Sequence, residues 1–200
     1  MENLKVFERW DISNVTVDDP GLKKYINLKP IIVPKSFGRN TQQQFHKSYS
    51  SIIERLANHL FIPGHRGKKH IISSGKNVGK TFKVWKIIKD TFEIIEKQTK
   101  KNPVEIFVRA LENAALREEI TSFQVGGIIV RKAVVTSPQR RVDLALRAIS
   151  QGAYQKAFKN PKNMANCLAE EILGAYEYDT QRSYAVKEKQ RKEKEAAGSR

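Results

Sequence analysis

The 200-residue sequence is poor in sulfur, with one cysteine and two methionines, and it holds only two tryptophans. A single cysteine, Cys167, excludes an intramolecular disulfide and suits a reducing cytosol. It falls in the apolar pattern of a predicted helix, where a thiol is core filler rather than a nucleophile. No apolar run is long enough to span a bilayer and the N-terminus shows no secretory pattern, so no membrane partner is expected. The four histidines, His46, His59, His65 and His70, lack neighbouring carboxylates or cysteines at ligand spacing, so neither a metal site nor a cofactor is expected. No catalytic cluster stands out, and no small-molecule substrate follows. Acid is also scarce: 21 Asp and Glu face 37 Lys and Arg, a net charge of +16. That excess repels itself in isolation and calls for a polyanionic partner, nucleic acid ahead of an anionic surface. With 40% hydrophobic residues, the chain has enough for a core in one domain with appendages or two small ones.

One stretch, SSGKNVGKTF at 73–82, nearly completes a phosphate-gripping nucleotide loop, G-x-x-x-x-G-K-[ST]. Gly79, Lys80 and Thr81 supply its end, but Ser74 stands where the first glycine belongs and Gly75 leaves the loop one residue short. No later apolar run ends in an Asp that would hold Mg²⁺. The glycines and lysines fit better as a loop that brings backbone N–H groups and charge close to the phosphates of a polymer.

Residues 1–40 form a leading arm, with Pro20, Pro30 and Pro34 and the short apolar run Ile31–Val33 suggesting extended chain with one short strand. The arm carries seven basic and five acidic residues, so nearly all the excess charge lies after it. Residues 41–184 make the helical body. Phe45, Tyr49, Ile52, Ile53, Leu56 and Leu60 share one helical stripe ending at Pro63-Gly64. Val84, Ile87, Ile88, Thr91, Phe92 and Ile95 form a second, with Lys83, Lys86 and Lys89 on its other side. Three further helices are expected from a capping residue followed by proline, at Asn102-Pro103, Ser137-Pro138 and Asn160-Pro161. Between the first two of these, within 117–136, Ile120–Val125 and Ile128–Val135 have strand composition around a Gly126-Gly127 hairpin signal. Residues 185–200 are a basic tail, either a solvated helix that frays or a segment that orders on a partner. The expected fold is mainly α: a bundle of five to six helices with a protruding two-stranded β-ribbon and an extended N-terminal arm.

Cations gather in three places. The connection HRGKKHIISSGKNVGK brings Arg66, Lys68, Lys69, Lys76 and Lys80; the ribbon and following helix bring Arg131, Lys132, Arg140, Arg141, Arg147 and Lys156; the third is the tail. Arg140 and Arg141 occupy a helical first turn, which favours an anion. They can instead pair with Glu118 or Glu119 of the protein itself. A ribbon beside such a helix suits a groove of folded RNA. A DNA-binding bundle with one Arg-bearing helix in a major groove is an alternative, as is a nucleotide-binding protein.

The motifs RGKKH (66–70), FEII (92–95), NPVEIFVRALENA (102–114), VGG (125–127), VVTSPQRRVDLALRAI (134–149), CLAEEILGA (167–175) and SYAVKEK (183–189) occur in the order of a known family. The chain resembles the small-subunit ribosomal protein seven family in its archaeal and eukaryotic form, from about Phe37 to the end. The glycine loop is longer than in bacterial or eukaryotic members and the arm matches loosely. The resemblance implies a non-enzymatic, cytoplasmic ribosomal protein of the small-subunit head. Such a protein binds the 3′ major domain of small-subunit rRNA, nucleates head assembly beside other head proteins, and lies near exit-site tRNA and mRNA. It also implies rRNA contacts at Lys68, Lys69, Arg131, Lys132, Arg140 and Arg141, with Gly126, Gly127, Lys187, Lys189 and Arg191 near tRNA or mRNA.

Overall fold

The computed structural model describes residues 4–64 and 75–199. Six α-helices and one two-stranded antiparallel sheet make up its regular structure: α1 (Ile52–Leu60), α2 (Thr81–Thr99), α3 (Pro103–Ala114), β1 (Glu118–Val125), β2 (Ile128–Val135), α4 (Pro138–Ala157), α5 (Met164–Tyr176) and α6 (Tyr184–Ala197). The mainly helical fold with a ribbon is the one expected from the sequence.

Local chemistry explains several of these elements. Asn102 accepts a hydrogen bond from the Val104 N–H at 3.0 Å, satisfying an otherwise orphaned donor at the start of α3, and Pro103 fills the position where a missing N–H costs nothing. Gly126 and Gly127 both have positive φ, 55° and 86°, as a two-residue hairpin turn requires. They set the register in which Val125 faces Ile128 and Glu118 faces Val135.

α5 packs against α2, α3, α4 and α6, which accounts for burial nearly all the way round it. The expected stripe of α2 is buried save for the half-buried Ile87, α3 buries Val104, Phe107, Val108 and Leu111, and Phe92 and Phe107 meet near the centre with ring centroids 6.2 Å apart. Replacing either ring by alanine would cost about 3–5 kcal/mol. Two buried polar side chains on the core are paired: Thr91 Oγ1 donates to the Ile87 carbonyl at 2.7 Å, and Arg55, only 4% exposed, donates to the Tyr25 carbonyl at 2.9 Å and Asp143 Oδ1 at 2.8 Å. Asp143 also pairs with Lys47.

Five local expectations differ from the structure. The helix expected from Phe45 is a single 3₁₀ turn over His46–Tyr49, and α1 begins only at Ile52. Phe45 adopts φ 63°, and the Ile52 N–H donates to the Asn27 carbonyl, so Ser50 and Ser51 stay extended and Phe45 and Tyr49 remain exposed. The helix expected at Asn160-Pro161 starts at Met164, because Asn160 Oδ1 accepts from the Lys162 N–H and keeps that stretch as a turn. Ile31–Val33 is not a strand but exposed irregular chain. The leading segment is irregular yet packed: Val6, Trp10, Ile12, Leu22 and Ile26 are buried, with Trp10 edge-on to Phe92 at 5.6 Å. The tail, finally, is the well-formed α6, capped by the Ser183 side chain and burying Ala185, Val186 and Ala196.

Candidate nucleic-acid interface

The ribbon stands out from the helices. From Thr121 to Val135 every residue but Ala133 is exposed, and only its base leans on α6, where Glu193 Oε1 accepts from the Arg117 N–H at 2.8 Å. Arg131 and Lys132 are adjacent on β2 and so point to opposite faces, opposite Ser122 and Thr121 respectively. Among the described residues neither makes an ion pair, nor do the exposed Arg147 of α4 and Lys187 of α6. Apolar side chains cluster at the ribbon tip, where Val125, Ile128 and Ile129 are all exposed beside the two glycines.

On α2, Lys83, Lys86 and Lys89 are exposed, following Lys76 and Lys80 in the turn that leads into the helix. Arg66, Lys68 and Lys69 lie outside the described residues, as do His65 and His70.

The remaining expected site residues are engaged with the protein itself. Arg140 grips Glu119 with both arms of its guanidinium, Nε–Oε1 at 2.6 Å and Nη2–Oε2 at 2.9 Å, and this pairing raises its already high pKa. Arg141, 11% exposed in its side chain, donates to Asp19 Oδ2 at 2.6 Å and to the Leu116 carbonyl at 3.0 Å. Burial alone would raise the Asp19 carboxyl, but the Arg141 guanidinium and the Gly21 N–H outweigh it and hold the pKa below the ordinary value. Lys156 pairs with the fully buried Glu171 at 2.7 Å, and the same carboxylate accepts from Ser183 Oγ at 2.9 Å and the Ala185 N–H at 3.0 Å. Lys189 donates to the Asn113 carbonyl at 2.8 Å and lies 5.3 Å from the Tyr178 ring centroid, with burial pushing its pKa down. Arg191 bridges Glu188 and Glu195 along α6, and its pKa is raised in consequence.

An open groove of about 990 Å³ at the ribbon base collects Arg109, Arg117, Arg141 and Lys189, but also Asp18, Asp19, Glu112 and Glu193. Four cations against four carboxylates leave it close to neutral. The sequence pattern missed this groove because its acids come from the leading segment, α3 and α6 and its bases from α3, α4, α6 and the chain before β1. The uncompensated charge therefore sits outside it, on the ribbon and on the outer faces of α2, α4 and α6.

Among the described residues no group of three or more His, Cys, Asp or Glu side chains is placed to hold a metal ion. Burial pushes the Cys167 thiol up, away from the reactive thiolate. A helical scaffold with a lone projecting ribbon and unpaired outward cations has the make-up of a basic structural protein that docks on a polyanion.

Comparison with known proteins gives the particular kind. Residues 22–200 match the family model described as ribosomal protein S7p/S5e. The chain is 51% identical over 197 residues to the small ribosomal subunit protein uS7 of Nanoarchaeum equitans, covering 98% of this chain and 99% of that one. It is 48% identical over 189 residues to the uS7 of Methanothermobacter thermautotrophicus, covering 94% and 95%. The chain belongs to the ribosomal protein S7p/S5e family, a family of structural, non-enzymatic proteins.

Proposed function

We propose that this protein is a structural constituent of the small ribosomal subunit that binds the 3′ major domain of the small-subunit rRNA and helps nucleate assembly of the subunit head. The observation that carries the reading is a set of outward cations, Arg131, Lys132, Arg147 and Lys187, that no carboxylate of the described chain neutralises, on a member of a ribosomal family. Binding proceeds by neutralising phosphates at fixed points, with the shape of the folded RNA supplying specificity. Lys76, Lys80 and the basic face of α2 extend this surface, with Arg66, Lys68 and Lys69 beside them in sequence. Residues 41–184 supply the rRNA-binding body in this reading.

Arg140 contributes only where a phosphate competes with Glu119 for its guanidinium. Arg141, Lys156, Lys189 and Arg191 act chiefly by holding the scaffold in shape. The Gly126-Gly127 tip and Lys187 are the parts that lie near exit-site tRNA and mRNA, close to neighbouring head proteins.

The test is binding to a transcript of the head domain and to an unrelated transcript of equal length, across a salt series. Preference for the head transcript is expected, with log affinity falling by about 0.7–0.9 per phosphate neutralised for each unit of log salt. The double change Arg131→Glu, Lys132→Glu should lower that slope by about 2. Equal affinity for both transcripts near 0.15 M salt would end the reading.

A further inference from the structure

Between Pro20 and Ile53 the sequence contains no acidic residue, while Lys23, Lys24, Lys29, Lys35, Arg39 and Lys47 all fall there. Averaging the charge over the first forty positions hides this, because the five acids of that stretch all precede Pro20. The same segment exposes three aromatic rings: Phe37 is 82% exposed, Phe45 62% and Tyr49 75%. A ring so exposed gains nothing from the core, and the backbone is bent to put it there. Phe37 and Phe45 both sit at positive φ, 51° and 63°, a region unfavourable to bulky residues that tends to persist where a ligand is held.

Phe37 forms one wall of a cleft of about 200 Å³ between α1 and the start of α2. Phe61 and Trp85 line it with Ala57, so its interior is flat and apolar. Its polar groups are few. Lys35 stands at the edge with its ammonium 4.8 Å from the Phe37 ring centroid, and Asn58 presents a side-chain amide with no hydrogen-bond partner among the described residues. Glu54 is already occupied: its Oε1 accepts from Ser36 Oγ at 2.6 Å and the Ser36 N–H at 2.8 Å, which fixes the segment carrying Phe37. Together these are a slot with aromatic walls, an amide able to read a planar edge, and a basic approach through Lys35 and Arg39. An anionic chain with flat apolar rings fits all three, as single-stranded nucleic acid does.

We propose that this cleft takes an unpaired RNA base, stacked on Phe37 and bonded to the Asn58 amide, while Arg39 and the rings of Phe45 and Tyr49 track the adjoining nucleotides. The site rests on the rRNA-binding reading above and adds to it a place where unpaired nucleotides, rather than helical phosphates, are held.

The experiment compares the full chain with its Phe37→Ala, Phe37→Leu and Phe37→Tyr variants. Each is titrated with the head-domain transcript and with a single-stranded oligouridylate of about ten nucleotides, within the usual span of such sites. Because Phe37 is mostly exposed, thermal unfolding should be unchanged in all three, which separates binding from folding. Phe37→Ala and Phe37→Leu should weaken oligonucleotide binding about 5- to 150-fold, the loss of one base stack, and Phe37→Tyr should restore it. The salt slope should stay constant, since no charge is removed. Unaltered oligonucleotide affinity in Phe37→Ala, with the parent still binding the head transcript, would show that the cleft serves another occupant and overturn the proposal alone. Failure of the parent to prefer the head transcript would overturn the functional reading together with it.

Discussion

Replacing Gly152 by alanine measures how tightly the C-terminal helix is docked. Gly152 lies inside α4, where alanine favours the helix by about 1 kcal/mol, so α4 taken alone would gain. In the folded protein an added Cβ would stand 2.7 Å from Glu171 Cδ, 2.8 Å from Tyr184 Cβ and 2.9 Å from Glu171 Oε1. Carbon atoms settle at about 3.5–4.0 Å, so α5 and the start of α6 must retreat by on the order of 1 Å. Neither yields cheaply: the Glu171 carboxylate is fully buried among Lys156, Ser183 and Ala185, and a Cβ moves only with its backbone. Overpacking of this kind costs about 1–3 kcal/mol, and stretching the Glu171 hydrogen bonds adds on the order of 1 kcal/mol. The clash outweighs the helical gain, leaving a net loss of about 2 kcal/mol. In a chain of this size that lowers Tm by about 4–8 °C, readable by calorimetry and urea unfolding. Amides of α6 should exchange faster than those of α3. In a Glu171→Ala background, where two of the three crowding atoms are gone, the added methyl should cost clearly less. A Gly152→Ala protein as stable as its parent would refute the close docking of α4, α5 and α6.

Glu171→Ala should itself cost about 3–5 kcal/mol in urea unfolding, because it strands the buried Ala185 N–H and the inward-facing Lys156. Arg141→Ala should cost about 2–3 kcal/mol and expose the first thirty residues to limited proteolysis, whereas Arg140→Ala, which removes a side chain itself 55% exposed, should cost under about 1 kcal/mol in the same assay. Acid should destabilise the fold in a defined window. Burial works against ionised Asp143, but Lys47 and Arg55 outweigh it and depress its carboxyl; Asp19 is likewise depressed, and so is Glu188, mainly through Arg191. Groups depressed in the folded state contribute fully above their unfolded values, near 4, and lose that contribution as pH falls below them. Unfolding free energy should therefore be flat from about pH 5 to 7 and fall below about pH 4. Asp143→Asn should be less stable at pH 7 and less sensitive to acid, and an acid limb unchanged from the parent would contradict the Lys47–Asp143–Arg55 assignment.

Features determined by neighbours in sequence were legible without coordinates. The Asn102 cap, the Gly126-Gly127 turn and the stripe of α2 all rest on residues within a few positions of one another. Errors arose where distant chain decided the outcome. Phe45 and Tyr49 fall on the periodicity of α1, yet Asn27 pins the chain at Ile52 and the helix starts only there. The tail has few apolar residues, but Ala185, Val186 and Ala196 suffice for docking because Glu171, a dozen or more positions back, bonds Ser183 and Ala185. Counting cations located the charged regions but could not separate Arg131, which is free, from Arg141, which is committed to Asp19 across 122 positions.

The clasp on the leading segment also sets a timetable for synthesis. Trp10 bonds Glu96, Asp18 and Asp19 take the Glu112 carboxylate through their N–H groups, and Asp19 meets Arg141, so the leading segment is clasped by chain made well after it. At about 5–20 residues per second, Asp19 precedes Arg141 by roughly 6–24 s. Until Phe92 and the helices around it emerge, Val6, Trp10, Ile12, Leu22 and Ile26 have no core to enter, and until Arg141 follows, Asp19 lacks the cation that closes the clasp.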